Sequence, residues 1–283
     1  MPESSFRVDT RRWPRSEIIR LPGSQNPLRN LNIEVSIIIP VKDEAESIEA
    51  LASEITGVME QQAWSWECIW VDDGSTDHSR LLLKKLAAAD RRHRYLAFER
   101  NAGQSAAFWV GFRHAGGAIL VTLDGDGQND PADIPHLVAM VRSGQTDMAH
   151  GYRRKREDNA MRKFASRIAN GFRNWITGKT VRDVGCSTRA LRRECVEWLP
   201  PFAGMHRFLP NLVRLHGFTL AEVPVNHRPR LKGRSKYTLS NRLWVGLVDT
   251  FGVLWFSKRA FQYRIAEQSH GSDTAVPFDQ PST

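Results

Sequence analysis

The sequence predicts an α/β fold in which a mostly parallel sheet is covered by helices on both faces. Two observations carry this prediction. From residue 35 onward, short apolar runs rich in β-branched residues alternate with segments of helical periodicity. The first of these runs, Val35–Ile39, is apolar without a break, as a strand buried on both faces requires.

Taken in order, residues 1–30 mix Pro, Arg, Ser and Asn with little periodicity and read as a flexible arm. The strand Val35–Ile39 leads into helical spacing over Ser47–Glu60. Trp66–Val71 reads as a second strand, and Thr76–Ala89, with Leu at 81, 82, 83 and 86, as a second helix. Tyr95–Phe98 is a short third strand ahead of a helix near Gln104–His114. Ala118–Leu123 is a fourth strand. Pro131 then opens another helix at the first helical position, where its missing N–H breaks no bond. Past residue 151 the pattern is helical over about 159–177 and then mixed, with a strand near Thr219–Val223 and a basic loop at 226–238.

With 283 residues, 41% of them apolar, and 20 Gly, the chain can bury a sizeable core, which excludes disordered, collagen-like and multispanning classes. No run reaches about 18 uninterrupted apolar residues, so no transmembrane helix is expected. The first thirty residues hold no apolar block, so no signal peptide is expected either. Cys68, Cys186 and Cys195 match neither a disulfide framework nor a zinc site and are expected as buried thiols in a reducing compartment, inside a cell. The net charge of +9 is unevenly spread, at +3 over 1–30, −8 over 31–151 and +14 over 152–283. A uniformly basic nucleic-acid binder does not look like this, and few aromatic residues interleave the basic stretch 152–193, so no nucleic-acid partner is expected. The pattern suits an anionic ligand handled by both halves, the acidic one through a metal.

In a parallel sheet, ligands collect beyond the C-terminal ends of the strands. Three such ends carry acidic or turn-rich loops: Pro40-Val41-Lys42-Asp43-Glu44, Asp72-Asp73-Gly74-Ser75-Thr76-Asp77 and Asp124-Gly125-Asp126-Gly127-Gln128. Asp124, Asp126 and Gln128 form the hard oxygen donor set that Mg²⁺ or Mn²⁺ prefers. The same residues also suit a solvated turn before the helix at Pro131. Ser75, Thr76 and Asp77 are candidates for helix capping, which leaves Asp72 as the residue to meet a base or ribose. Pro40 and Glu44 read equally as a turn and a first-turn acid favoured by the helix dipole.

In this order and spacing, the motifs resemble the family 2 inverting glycosyltransferases of GT-A (Rossmann-like) fold, and most closely the dolichol-phosphate mannose synthase and bacterial polyprenyl-phosphate branch. The resemblance runs from Pro40-x-x-x-Glu44 through Val71-Asp-Asp-Gly-Ser-x-Asp77, Asn101-x-Gly103 and Asp124-x-Asp126-x-Gln128. It continues over Asp183-Val-Gly-Cys-Ser-Thr-Arg189 to Arg230-x-x-Gly233-x-Ser235-Lys236. It implies a GT-A domain over 31–238. Pro40, Glu44 and Asp72 would hold the nucleoside of a UDP- or GDP-linked sugar, and Asp124, Gly125 and Asp126 would lie along the ribose and diphosphate. Asp126 and Gln128 would bind a divalent metal, Mg²⁺ or Mn²⁺, while Arg230 and Lys236 would close over the diphosphate. Arg153 and Arg167 would face the acceptor phosphate. The first motif departs from the family, reading Val41-Lys42-Asp43 where an aromatic residue and an Asn are usual, and the base is left open. Many members carry C-terminal transmembrane helices, which no segment here matches.

The chemistry of such a reaction fits the charge division. Negative charge grows on the departing diphosphate, and a cation with Arg and Lys stabilises it most in the transition state. A polyprenyl phosphate acceptor, with a second pKa of about 6, is already ionised and needs no general base. The alternative acceptor, a hydroxyl of a saccharide or other soluble molecule, needs one, and Asp183 is the candidate. Asp183 reads otherwise as a structural carboxylate paired with Arg182 or Arg189. From Leu243 to Phe256 ten of fourteen residues are apolar and Trp-rich, flanked by Arg242 and Lys258-Arg259. Seven of them fall in an arc of about 140° on a helix of roughly 21 Å, too short for a bilayer core of about 30 Å. The segment 239–264 therefore reads as an amphipathic helix in a membrane interface or against a second subunit, with a disordered tail over 265–283. The expected setting is the cytoplasmic face of the cell membrane, as a peripheral protein.

Overall fold

The computed structural model describes residues 33–153, 181–228 and Gly252. The arm 1–30, the helical stretch 159–177, Arg167, Arg230, Lys236, the segment 239–264 apart from Gly252, and the tail 265–283 lie outside the described residues.

In chain order the elements are β1 (Val35–Val41), α1 (Ala45–Glu60), β2 (Trp66–Asp72), α2 (Ser79–Ala89), β3 (His93–Ala97), α3 (Gln104–His114) and β4 (Ile119–Thr122). After a 3₁₀ turn, Pro131–Asp133, come α4 (Ile134–Arg142), β5 (Met148–Arg153), β6 (Arg189–Arg192), α5 (Met205–Leu215) and β7 (Leu220–Val225). The strands form one sheet in the order β3-β2-β1-β4-β6-β5-β7. β6 is antiparallel to both β4 and β5, and the other pairings are parallel. Six strands thus point one way and β6 points back, the mostly parallel sheet expected from sequence.

Alternation along the strands divides the apolar side chains between two layers. Ile37, Ile39, Cys68, Trp70 and Val121 pack with α1 and α4 on one face. Ile38, Ile69, Val71 and Leu120 pack with α3 and α5 on the other. Covering on both faces explains why Val35–Ile39 shows no polar alternation. The three cysteines are free and buried, as expected. Among the described residues no helix is long and apolar enough to cross a membrane.

Sequence reading placed β1 to β4 and the first three helices within a few residues, but it left β5, β6 and α5 unassigned. β6 reads Arg-Ala-Leu-Arg, and the charges at its ends mask its burial. α5 contains Pro210, ordinarily a helix breaker, and its missing amide becomes part of the site below. Pro131 does start a helical turn, with Asp130 accepting from Ala132 N at 3.0 Å as N-cap.

Candidate active site

Because β6 runs backward, its N-terminal end shares an edge with the C-terminal ends of the other six strands. That one edge carries Lys42–Glu44, Asp72–Asp77, Leu123–Gln128, Arg153, Asp183–Arg189 and Asn226–Arg228.

The first two loops are zipped together. Asp43 N donates to Ser75 Oγ (3.0 Å) and Glu44 N to Ser79 Oγ (2.9 Å), while Asp43 Oδ1 accepts from Thr76 N (2.7 Å). Asp43 holds φ 53, a left-handed conformation that Asp and Asn adopt more readily than most residues. The Asp77 carboxylate accepts from Ser79 N at 2.9 Å and Ala45 N at 3.2 Å, joining the starts of α2 and α1. Burial pushes the Asp77 carboxyl up, but these hydrogen bonds outweigh it and hold it below its ordinary value. Glu44 sits half-buried as the N-cap position of α1, its carbonyl accepting from Ser47 N at 3.0 Å. Asp72 is fully buried and turned inward: Oδ1 accepts from Ser75 N (2.8 Å) and Oδ2 from Arg80 Nε (2.8 Å). What Asp72 offers outward is therefore the orientation of Arg80, whose side chain is 46% exposed. Asp73 clamps the entry to α3, accepting from Ala102 N (2.6 Å) and Gly103 N (3.0 Å).

The acidic loop rests on the end of β1. A Cβ at Gly125 would stand 2.8 Å from the Pro40 carbonyl oxygen, so only glycine permits this approach. From above, Ser47 Oγ donates to the Gly125 carbonyl at 2.6 Å. Asp124 Oδ1 accepts from Gln104 Nε2 at 2.8 Å. Burial, then the charge of Asp126, raises the Asp124 carboxyl above its ordinary value. Gln128 N donates to Asp126 Oδ1 (3.2 Å), and Gln128 Nε2 lies 3.5 Å from His227 Nε2. Among the described residues no group of three or more His, Cys, Asp or Glu converges on a metal. Asp126 with Gln128 suits Mg²⁺ or Mn²⁺, which typically take one or two carboxylates and fill the remainder with substrate phosphates and water. Asp124 and Asp126 are both half-buried, and the repulsion between their charges is what a bound cation would relieve. His227 stands beside this set and was not singled out from sequence.

A strap after β7 crosses this loop. Asn129 and His227 form an antiparallel bridge, and Arg228 N donates to the Gln128 carbonyl at 2.9 Å. Arg230 and Lys236 follow in the same basic stretch, 226–238.

On the far side, Arg153 forks onto Asp183, Nε to Oδ2 at 2.6 Å and Nη2 to Oδ1 at 2.9 Å. Among the described residues Asp183 thus pairs with Arg153, whereas Arg182 pairs with Glu222. Arg189 is buried and binds neutral acceptors: His150 Nδ1 at 3.2 Å and the carbonyls of His206 at 2.7 Å and Val184 at 3.4 Å. The His206 carbonyl is the one that Pro210, four residues on, cannot satisfy. The helix breaker in α5 therefore creates the acceptor that holds a buried cation. His150 Nε2 reaches the Asp183 carbonyl at 2.9 Å, and burial followed by the Arg189 charge pushes its pKa down to about 3, so it is neutral. These groups tie Arg153 and Asp183 to the core of the sheet.

Comparison with known proteins identifies the family. Residues 36–198 match the family model for Glycosyl transferase family 2. The chain is 38% identical over 206 residues to an undecaprenyl-phosphate 4-deoxy-4-formamido-L-arabinose transferase of Salmonella paratyphi A, covering 72% of this chain and 63% of that protein. It is 33% identical over 240 residues to a dodecaprenyl-phosphate galacturonate synthase of Rhizobium johnstonii, covering 83% and 70%. The fold is shared with glucosyl-3-phosphoglycerate synthase of Mycobacterium tuberculosis, solved with Mn²⁺, UDP and phosphoglyceric acid, at TM-score 0.60 and 20% identity over 80% of this chain and 81% of that one. The present chain thus spans less than two thirds of the arabinose transferase it matches. With the family model matching residues 36–198, more than half of its length, the chain belongs to glycosyl transferase family 2.

Proposed function

We propose that the protein is a metal-dependent inverting glycosyltransferase that moves a sugar from a UDP- or GDP-linked donor onto a polyprenyl phosphate. The observation that carries this reading is the acidic loop Asp124–Gln128 lying under a strap that leads into the basic loop. Two relatives above 30% identity carry a polyprenyl phosphate in their names.

In this reading a phosphate oxygen of the lipid attacks the anomeric carbon, the bond to the diphosphate breaks, and the nucleoside diphosphate leaves with the bonding electron pair. Asp126 and Gln128 would hold Mg²⁺ or Mn²⁺, which when bound supplies positive charge to the departing diphosphate. Pro40 and Gly125 fix the height of that loop, and Arg80, oriented by Asp72, stands at the nucleoside side. Arg230 and Lys236 bring further positive charge to the diphosphate. Arg153, aimed by the Asp183 fork, and Arg167 serve the acceptor phosphate. With both Asp183 oxygens engaged, its role is to orient Arg153, as a phosphate acceptor already ionised allows. The segment 239–264 would bring the site to the cytoplasmic membrane face.

The test is transfer of label from UDP- and GDP-sugars to undecaprenyl phosphate in Mn²⁺ or Mg²⁺. Glycolipid is expected with the wild type and lost by more than roughly a hundredfold in Asp126→Ala, the scale of a misplaced or missing electrostatic group. An Asp126→Ala protein as active as wild type would overturn the metal assignment, and product on a hydroxyl acceptor alone would overturn the lipid one.

A further inference from the structure

Arg228 is bound at four points. Nη1 donates to Glu54 Oε2 of α1 at 2.6 Å and Nη2 to Asp130 Oδ1 at 2.8 Å. Its amide donates to the Gln128 carbonyl at 2.9 Å, and its own carbonyl accepts from Gln128 Nε2 at 3.4 Å. Around it, Asn226 N donates to Asp133 Oδ2 (2.8 Å) and Asn226 Nδ2 to Asp130 Oδ2 (3.4 Å). Past Val225 the strap has only the isolated Asn129–His227 bridge as backbone pairing of sheet type among the described residues. A single bridge is a weak anchor, so side chains must fix where the strap lies.

The electrostatics point the same way. Glu54, Asp130 and Asp133 form an acidic rim beside the loop, and burial followed by the charge of Asp130 raises the Asp133 carboxyl. Asp130, two residues after Gln128, repels an anion held at that loop unless a cation offsets it. Arg228 places one guanidinium between two of the rim's carboxylates, and it does so while gripping Gln128 through the backbone.

We propose that Arg228 is a positioning residue for donor binding: a clamp between α1 and the acidic loop that seats Gln128 and His227 and shields an anionic donor from the rim. The inference rests on the proposed function of the same loop. It assigns Arg228 no contact with substrate.

The test measures binding of UDP and of GDP, with Mn²⁺, by calorimetry, alongside donor KM, kcat and thermal melting, for wild type, Arg228→Ala, Arg228→Lys and Glu54→Gln. Each partly exposed ion pair contributes modestly, so Arg228→Ala is expected to weaken nucleotide binding and raise donor KM by roughly three- to tenfold. At saturating donor, kcat should stay within about twofold, and acceptor KM should not move. Arg228→Lys keeps the charge with one arm and should fall between. Glu54→Gln should cost less than Arg228→Ala and add nothing in its background, since Glu54 acts through Arg228. If wild type binds neither nucleotide with Mn²⁺, the proposed function of the loop fails and the clamp with it. If wild type binds and Arg228→Ala binds within twofold, the clamp alone is overturned. Equal loss of kcat and melting temperature, with binding of the remaining folded protein unchanged, would reduce Arg228 to a structural residue and also overturn it.

Discussion

Replacing Gly125 with Ala adds one methyl group at the point where the acidic loop touches the sheet. That methyl would lie 2.8 Å from the Pro40 carbonyl oxygen, 3.4 Å from Val41 Cγ2 and 3.6 Å from Ile39 Cγ2. The closest neighbour is backbone of β1, buried and paired with β2 at Pro40–Val71, so it gives way poorly. The loop must lift instead, by about half an ångström to reach ordinary contact, against the pull of Ser47 on the Gly125 carbonyl. Overpacking of this kind costs about 1–3 kcal/mol. In a protein of this size that lowers the melting temperature by roughly 2–10 °C. Asp126 rides on the same loop, and displacement of a binding group by a fraction of an ångström is expected to raise donor KM by about tenfold. Gly57, in the last turn of α1 with nothing within 4 Å of an added methyl, is the control. There Ala should stabilise by about 0.5–1 kcal/mol because glycine is a poor helix former. Melting curves and donor titrations of both variants decide the matter. A Gly125→Ala protein with wild-type melting and donor KM would refute the argument that β1 sets the height of the loop.

Two further outcomes follow from the acceptor side. Asp183→Asn leaves Arg153 without its carboxylate, and acceptor KM is expected to rise about tenfold while kcat at saturating lipid stays within about fivefold; near-complete loss of kcat would instead make Asp183 the base for a hydroxyl acceptor. His150 gives a pH signature: its folded pKa of about 3 lies below the ordinary 6.5, so the unfolded chain takes up the proton first as the pH falls. That contribution to stability is intact above about pH 6.5 and shrinks by about 2 kcal/mol by pH 5, so acid melting curves should flatten in His150→Gln and a slope unchanged by that substitution would contradict the assignment.

Particular residues explain how much of this was legible in the sequence. The edge loops were readable because strand ends in a parallel sheet leave local marks: an unbroken apolar run, then Asp, Gly and Ser. The same locality placed Asp126 and Gln128 beside Gly125 without any knowledge of Pro40 beneath them. The strap could be seen only as part of a basic loop, because its contacts join residues about a hundred positions apart, such as Arg228 with Asp130. β6 and α5 escaped for a different reason. Each holds a residue that contradicts its local propensity, Arg189 in a buried strand and Pro210 in a helix, and the two contradictions resolve one another at the His206 carbonyl. Asp183 was read as a carboxylate with a neighbouring arginine in sequence, and its partner proved to be Arg153 from β5, thirty positions away.

The most direct test is crystallographic: the full chain grown with Mn²⁺ and UDP, with anomalous scattering collected at the manganese edge. A peak bounded by the Asp126 carboxylate and the Gln128 amide, with the diphosphate completing its shell under the strap, is the predicted result. A peak bound elsewhere on the molecule, or a nucleotide seated away from that sheet edge, would contradict it.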